Sequence, residues 1–180
     1  MPFTVGGGIK DVETIKEILN TGAEKVSINT YAIENPRLIR EASEAFGNQF
    51  IVCSMDVKKH RDGTYEAYCI AGTKPTGLNP VDLAKKFEEM RAGKLLVTSI
   101  NHEGLRQGYD LDLLKQVTDS VRIPVIAFGG GGCLEDFSKA VKESNVSAVS
   151  AGSFFVFHSR WRAVLISFPS RQEIEETLNI

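Results

Sequence analysis

Pro2-Phe3-Thr4-Val5-Gly6-Gly7-Gly8 and Pro124-Val125-Ile126-Ala127-Phe128-Gly129-Gly130-Gly131-Gly132 are two copies of one pattern. Each is followed, after a helix-length gap, by a second apolar run that ends in small polar residues. These runs are Val26-Ser27-Ile28-Asn29-Thr30 and Val149-Ser150-Ala151-Gly152-Ser153. Placing Gly6 on Gly129 also places Ser27 on Ser150, Asn29 on Gly152 and Thr30 on Ser153. Each copy reads strand, glycine turn, helix, strand. Glycines after a strand let backbone N–H groups approach an anion closely, and the next helix N-terminus adds the positive end of a dipole. Two such places in one domain point to a ligand with a phosphate at each end.

Between the copies, apolar runs alternate with amphipathic helical patterns, the mark of parallel βα units. Strands are expected at Phe3–Val5, Lys25–Ile28, Phe50–Met55, Lys94–Thr98, Val125–Ala127 and Val146–Ala151. Helices are expected at Val12–Leu19, from the Asn35-Pro36 cap to Phe46, from the Asn79-Pro80 cap to Ala92, at Leu111–Val117 and at Leu134–Glu143. Asp62-Gly63 marks a hairpin turn with Thr64–Ile70 as its return arm. Ser170 and Glu173 form a capping box for a last helix. The fold class is α/β, of the (βα)8 TIM-barrel kind, with about six βα units in a single partial domain over residues 1–180. A closed barrel needs eight strands and typically about 250 residues, so six units are not expected to close the ring by themselves.

The chain has 180 residues and a formal net charge of −2, which gives no electrostatic case for nucleic acid or an acidic membrane. No apolar run approaches the ~18 residues of a membrane span, and no signal peptide opens the sequence. Cys53, Cys69 and Cys133 have no metal-ligand spacing, and an odd count fits free thiols in a reducing, cytoplasmic setting. His60, His102 and His158 share no spacing either, so neither a metal nor a cofactor is expected.

Chemistry in a βα barrel sits at the C-terminal ends of strands. That rule selects Gly8, Asn29, Thr30, Asp56, Thr98, Gly104, Gly130, Gly152 and Ser153, with Glu103 as a possible auxiliary carboxylate. Asp56 follows an apolar run, so partial desolvation would raise its pKa and suit it to general acid or base work. The alternative is an aspartate that caps a turn or pairs with Lys58 or Lys59. The glycine runs have their own alternative, tight strand-to-helix turns and nothing more. Lys74-Pro75-Thr76-Gly77 is either a loop that closes over a ligand or a solvated one. Phe154–Phe157 is expected to pack on the barrel wall, and Arg160, Trp161 and Arg162 form an interaction surface or a helix edge.

The chain resembles the cyclase subunit family of imidazole glycerol phosphate synthase. The resemblance rests on residues 2–9, Lys25–Thr30, Asp56, Thr98–Ile100, Gly108–Asp110 and the glycine run 129–132. It implies a (βα)8 barrel with twofold internal repetition and a glutaminase subunit as heterodimer partner. Ammonia from that partner would act on a bisphosphorylated aminoimidazole carboxamide ribulosyl nucleotide in histidine biosynthesis. It implies that Asp56 is one of two essential aspartates. Gly8, Asn29 and Thr30 then hold one phosphate, and Thr98, Gly104, Gly130, Gly152 and Ser153 the other. The second aspartate belongs to a first barrel strand that this sequence does not contain. Roughly 60 residues, the first two βα units with a mobile substrate loop, are missing by comparison with a full barrel.

The sequence departs from that pattern in several places. Phe128 stands where the family has serine beside a phosphate. Asn101-His102-Glu103-Gly104-Leu105 stands where it has Asp-Arg-Asp-Gly-Thr. Lys94 replaces a glutamate of the charged gate through which ammonia enters, while Lys25 is kept. Two facing lysines repel, so the gate is rebuilt or unused. Residues 162–171 look more like a paralogous branch that delivers ammonia to acetamido sugars of surface polysaccharides. A third reading is a non-catalytic phosphate-binding module whose open sheet edges favour self-association.

Overall fold

The computed structural model describes residues 2–158, 161 and 163–178. Its elements in chain order are β1 (Thr4–Gly6), α1 (Val12–Asn20), β2 (Lys25–Ile28), α2 (Thr30–Glu34), α3 (Arg37–Phe46), a 3-10 turn (Asn48–Phe50) and β3 (Ile51–Lys59). Then come β4 (Tyr65–Cys69), β5 (Lys74–Pro75), α4 (Pro80–Glu89), β6 (Lys94–Ser99), α5 (Leu111–Thr118), β7 (Val125–Phe128), α6 (Leu134–Ser144) and β8 (Ala148–Ser150). The chain continues through α7 (Ser153–Val156), β9 (Phe157–His158), β10 (Ala163–Val164) and α8 (Arg171–Leu178).

Six strands form one parallel sheet in the order β1-β2-β3-β6-β7-β8. Neighbours in space are neighbours in sequence, so every crossover winds the same way. Right-handed crossovers then put the helices on one face. Side chains alternate between the faces of a strand. One set, Val26, Ile28, Ile51, Cys53, Met55, Val57, Leu95, Val97, Val125 and Ala127, is at most 2% exposed. It packs with Ile15, Ile39, Phe87, Leu113 and Ala140 of the helices into one core.

The opposite face carries Thr4, Lys25, Ser27, Ser54, Asp56, Lys94, Thr98 and Ser150, with Val52, Leu96, Ile126 and Phe128 between them. The sheet curls as an incomplete barrel with this face inward. Thr4, Lys25, Val52, Lys94, Ile126 and Ser150, one from each strand, line a single cavity of about 400 Å³ near the N-terminal strand ends. Among the described residues β1 and β8 do not pair with each other, so each has one free edge.

The structure revises several element bounds. β3 does not end at Asp56 but runs to Lys59, because the hairpin partner β4 holds it through Asp56–Tyr68 to Lys59–Tyr65. Lys74-Pro75, expected in a loop, adds a short antiparallel strand to β4. Asn35 does not cap α3. It closes the additional helix α2 instead, its N–H donating to Tyr31 O at 2.9 Å, and Pro36 takes the cap position. The last parallel strand is shorter than expected, Ala148–Ser150. The Asn79 cap and the Ser170–Glu173 box form as expected, with Val81 N–H to Asn79 Oδ1 at 2.8 Å and Ser170 N–H to Glu173 Oε2 at 2.7 Å. Phe154 and Phe155 pack against Phe137 of α6. Trp161 is exposed, while Arg160 and Arg162 lie outside the described residues.

Candidate functional site

Parallel pairing sets Asp56, Thr98, Phe128 and Ser150 in one row across the inner face, each opposite the next. Asp56 is half-buried there. Asn29 Nδ2 donates to Asp56 Oδ2 at 2.9 Å, and the Thr98 hydroxyl also hydrogen-bonds this carboxylate. Burial raises the Asp56 carboxyl above the ordinary aspartate range, and the Thr98 and Asn29 hydrogen bonds offset part of the rise. Asp56 forms no described ion pair with Lys58 or Lys59. Lys59 pairs with Asp112 at 3.7 Å, and Lys58 lies over the Tyr68 ring.

The first glycine turn opens onto a cavity of about 630 Å³. Gly8, Asn29 and Thr30 line it together with Gly6, Gly7 and Ser54. Gly8 sits at φ +66 with nothing within 4 Å of where a Cβ would be, so its backbone faces open space. Thr30 Oγ1 accepts from Ile70 N–H at 3.0 Å and ties the far wall of the cavity to the start of α2. That wall, Ile70-Ala71-Gly72, lies in the left-handed region at φ +52, +52 and +73. A β-branched residue rarely adopts this conformation, and the strain marks a loop held by its surroundings. Asn29 Oδ1 is buried without a partner, an acceptor beside the cavity.

The second glycine turn gathers Gly104, Gly130, Gly152 and Ser153 as expected, with Glu103 and Arg106 beside them. The space left there is only about 10 Å³, about the size of one water probe. Thr98 does not line this space, and its hydroxyl hydrogen-bonds Asp56. Gly130 is fixed by geometry, at φ +114 with the Gly108 carbonyl where a Cβ would go. Tyr109, buried, donates from its hydroxyl to Ser150 O at 3.0 Å beneath the turn.

An acidic side chain sits at the N-terminus of each helix that follows a turn. The Asp11 carboxylate accepts from Thr14 N–H at 2.8 Å and closes the start of α1. Asp136 accepts from Gly132 and Cys133 N–H at 2.9 and 3.2 Å and closes α6. Sequence reasoning also missed Arg106 and the 70–72 wall. Arg106 was visible as a cation between Gly104 and Gly108, whereas the left-handed Ile70 leaves no compositional trace.

At the other end of the inner face, Lys25 and Lys94 line one cavity, and Glu24 lies 3.5 Å from the Lys25 ammonium. A carboxylate is therefore present beside the expected lysine pair.

The histidine biosynthesis protein family model matches residues 1–160. The chain is 44% identical over 158 residues to a protein named imidazole glycerol phosphate synthase subunit HisF from Alkaliphilus metalliredigens, covering 88% of this chain and 63% of that one. It is 45% identical over 158 residues to a protein of the same name from Leptospira biflexa, covering 87% and 62%. It therefore spans somewhat over three fifths of the length of these relatives. With the family match running through both glycine turns and Asp56, the chain belongs to the histidine biosynthesis protein family.

Proposed function

We propose that the chain supplies most of a cyclase-type barrel that uses ammonia on a bisphosphorylated aminoimidazole carboxamide ribulosyl nucleotide. The ammonia comes from a glutaminase subunit bound as a heterodimer partner, and the pathway is histidine biosynthesis. One observation carries the proposal. Asn29 lines the cavity of the first glycine turn and also holds the Asp56 carboxylate at 2.9 Å. A phosphate in that cavity places the rest of a ligand over the inner face, within reach of Asp56. Burial raises the Asp56 carboxyl above the ordinary aspartate range, the direction that suits a general acid or base. Gly8, Asn29 and Thr30 bind the first phosphate. Gly104, Gly130, Gly152 and Ser153 face the second. Thr98 orients Asp56.

Ring opening and closure by two acid–base groups needs both in place. We expect little or no turnover from these 180 residues alone with ammonium salts. Measurable ammonium-dependent product from the isolated chain, quantified by chromatography, would overturn the two-group account. The free edges of β1 and β8 also favour self-association of the isolated chain.

A further inference from the structure

The two glycine turns are alike in sequence and unlike in space: about 630 Å³ lies before the first and about 10 Å³ before the second. Two long side chains of the 101–110 loop, Glu103 and Arg106, line the smaller space. Glu103 N–H donates to Ser99 O at 3.0 Å, which anchors that residue just past the end of β6. Its Oε2 then lies 3.4 Å from the Cβ position of Gly129, at the entrance to the turn. Arg106 lines the same space, and its guanidinium donates to Phe157 O at 3.0 Å and Gly132 O at 3.3 Å. A cradle shaped for an anion thus has an anion and a cation of the chain already beside it. The one carboxylate on the lining of the first cavity, Glu34, is exposed and lies 4.0 Å from the Lys74 ammonium.

We propose that Glu103 is a built-in competitor of the second phosphate, lying across the second turn so that phosphate binds the first turn preferentially. The inference rests on the reading of both turns as phosphate sites and adds an order of loading to it. The phosphate at the first turn binds first, and the second enters as Glu103 swings out and leaves Arg106 to meet it. Glu103 is an exposed side chain, so the swing costs little packing. Like charges this close repel appreciably even at a hydrated surface. The ligand class is a bisphosphate or a pair of phosphate monoesters.

Inorganic phosphate, titrated into the ¹⁵N-labelled chain and followed at backbone amides, tests this. In the wild type, Gly7, Gly8 and Thr30 respond at lower phosphate than Gly104, Gly152 and Ser153. Glu103→Ala lowers the midpoint of the second group about tenfold and leaves the first unchanged, which also shows that the variant is folded. Glu103→Gln, of the same size without the charge, shifts the second group in the same direction. A second-group midpoint equal in wild type and both variants overturns the competition. So does a second group that stays silent in all three while the first responds. Silence of both groups in every protein overturns the phosphate reading itself.

Discussion

Asn29, just past the end of β2, and Asp56, within the neighbouring parallel strand β3, are joined by a 2.9 Å hydrogen bond from Nδ2 to Oδ2. The bond links the cavity of the first glycine turn to the proposed acid–base group. It also favours the ionised carboxylate against burial, which pushes the other way.

Replacing Asn29 by alanine removes that donor. The Asp56 carboxyl is expected to titrate at higher pH than in the wild type, measured by ¹³C NMR of the labelled carboxyl. An unchanged or lower titration point would mean that the bond does not stabilise the anion.

Asp56→Asn is expected to stabilise the fold near neutral pH. Burial raises the folded pKa of Asp56 above its unfolded value, so ionisation costs stability as pH rises through the folded pKa. Asparagine keeps the shape without the charge. We expect a gain of about 0.5–1 kcal/mol at pH 7, discounted for the partial exposure of the group. That corresponds to a rise of about 1–3 °C in Tm. The gain should fade as pH falls below the unfolded pKa, where Asp56 is neutral in both states. A Tm difference that is constant with pH would argue against a buried charge as its source.

Alanine at Gly8 and at Gly130 should have unequal effects. Gly8→Ala meets no neighbour but is held at φ +66, costing about 1–2 kcal/mol of left-handed strain. Gly130→Ala adds to similar strain an overlap with the Gly108 carbonyl, for a total of about 3 kcal/mol or more. Urea denaturation of both variants measures the difference, and equal losses would show that the second turn relaxes around a methyl group.

The free edges of β1 and β8 predict concentration-dependent association of the isolated chain. Light scattering across a hundredfold range of concentration should show rising mass. A monomer throughout would mean that the edges are protected.

The parallel architecture was legible because its strands are short apolar runs with helical patterns between them, and the repeat fixed which turns are equivalent. The length of β3 was not, because Val57-Lys58-Lys59 turns polar before the strand ends and only pairing with β4 keeps it extended. Asn29, Asp56 and Thr98 were legible as polar residues at the ends of apolar runs. The partner of Thr98 was not, since Asp56 and the second turn lie on opposite neighbours of β6 and only the register decides between them. Nor was the occupancy of the helix N-termini. Asp11 and Asp136 read as ordinary acidic residues until their distances to Thr14, Gly132 and Cys133 N–H are known.

The central claim is that the first glycine turn and Asp56 form one substrate site. Calorimetric titration of the bisphosphorylated nucleotide into the wild type, Gly8→Ala and Asp56→Asn tests it most directly. Saturable binding that weakens about tenfold in Gly8→Ala and survives in Asp56→Asn is the predicted result. Absent binding, or binding indifferent to Gly8, would contradict it.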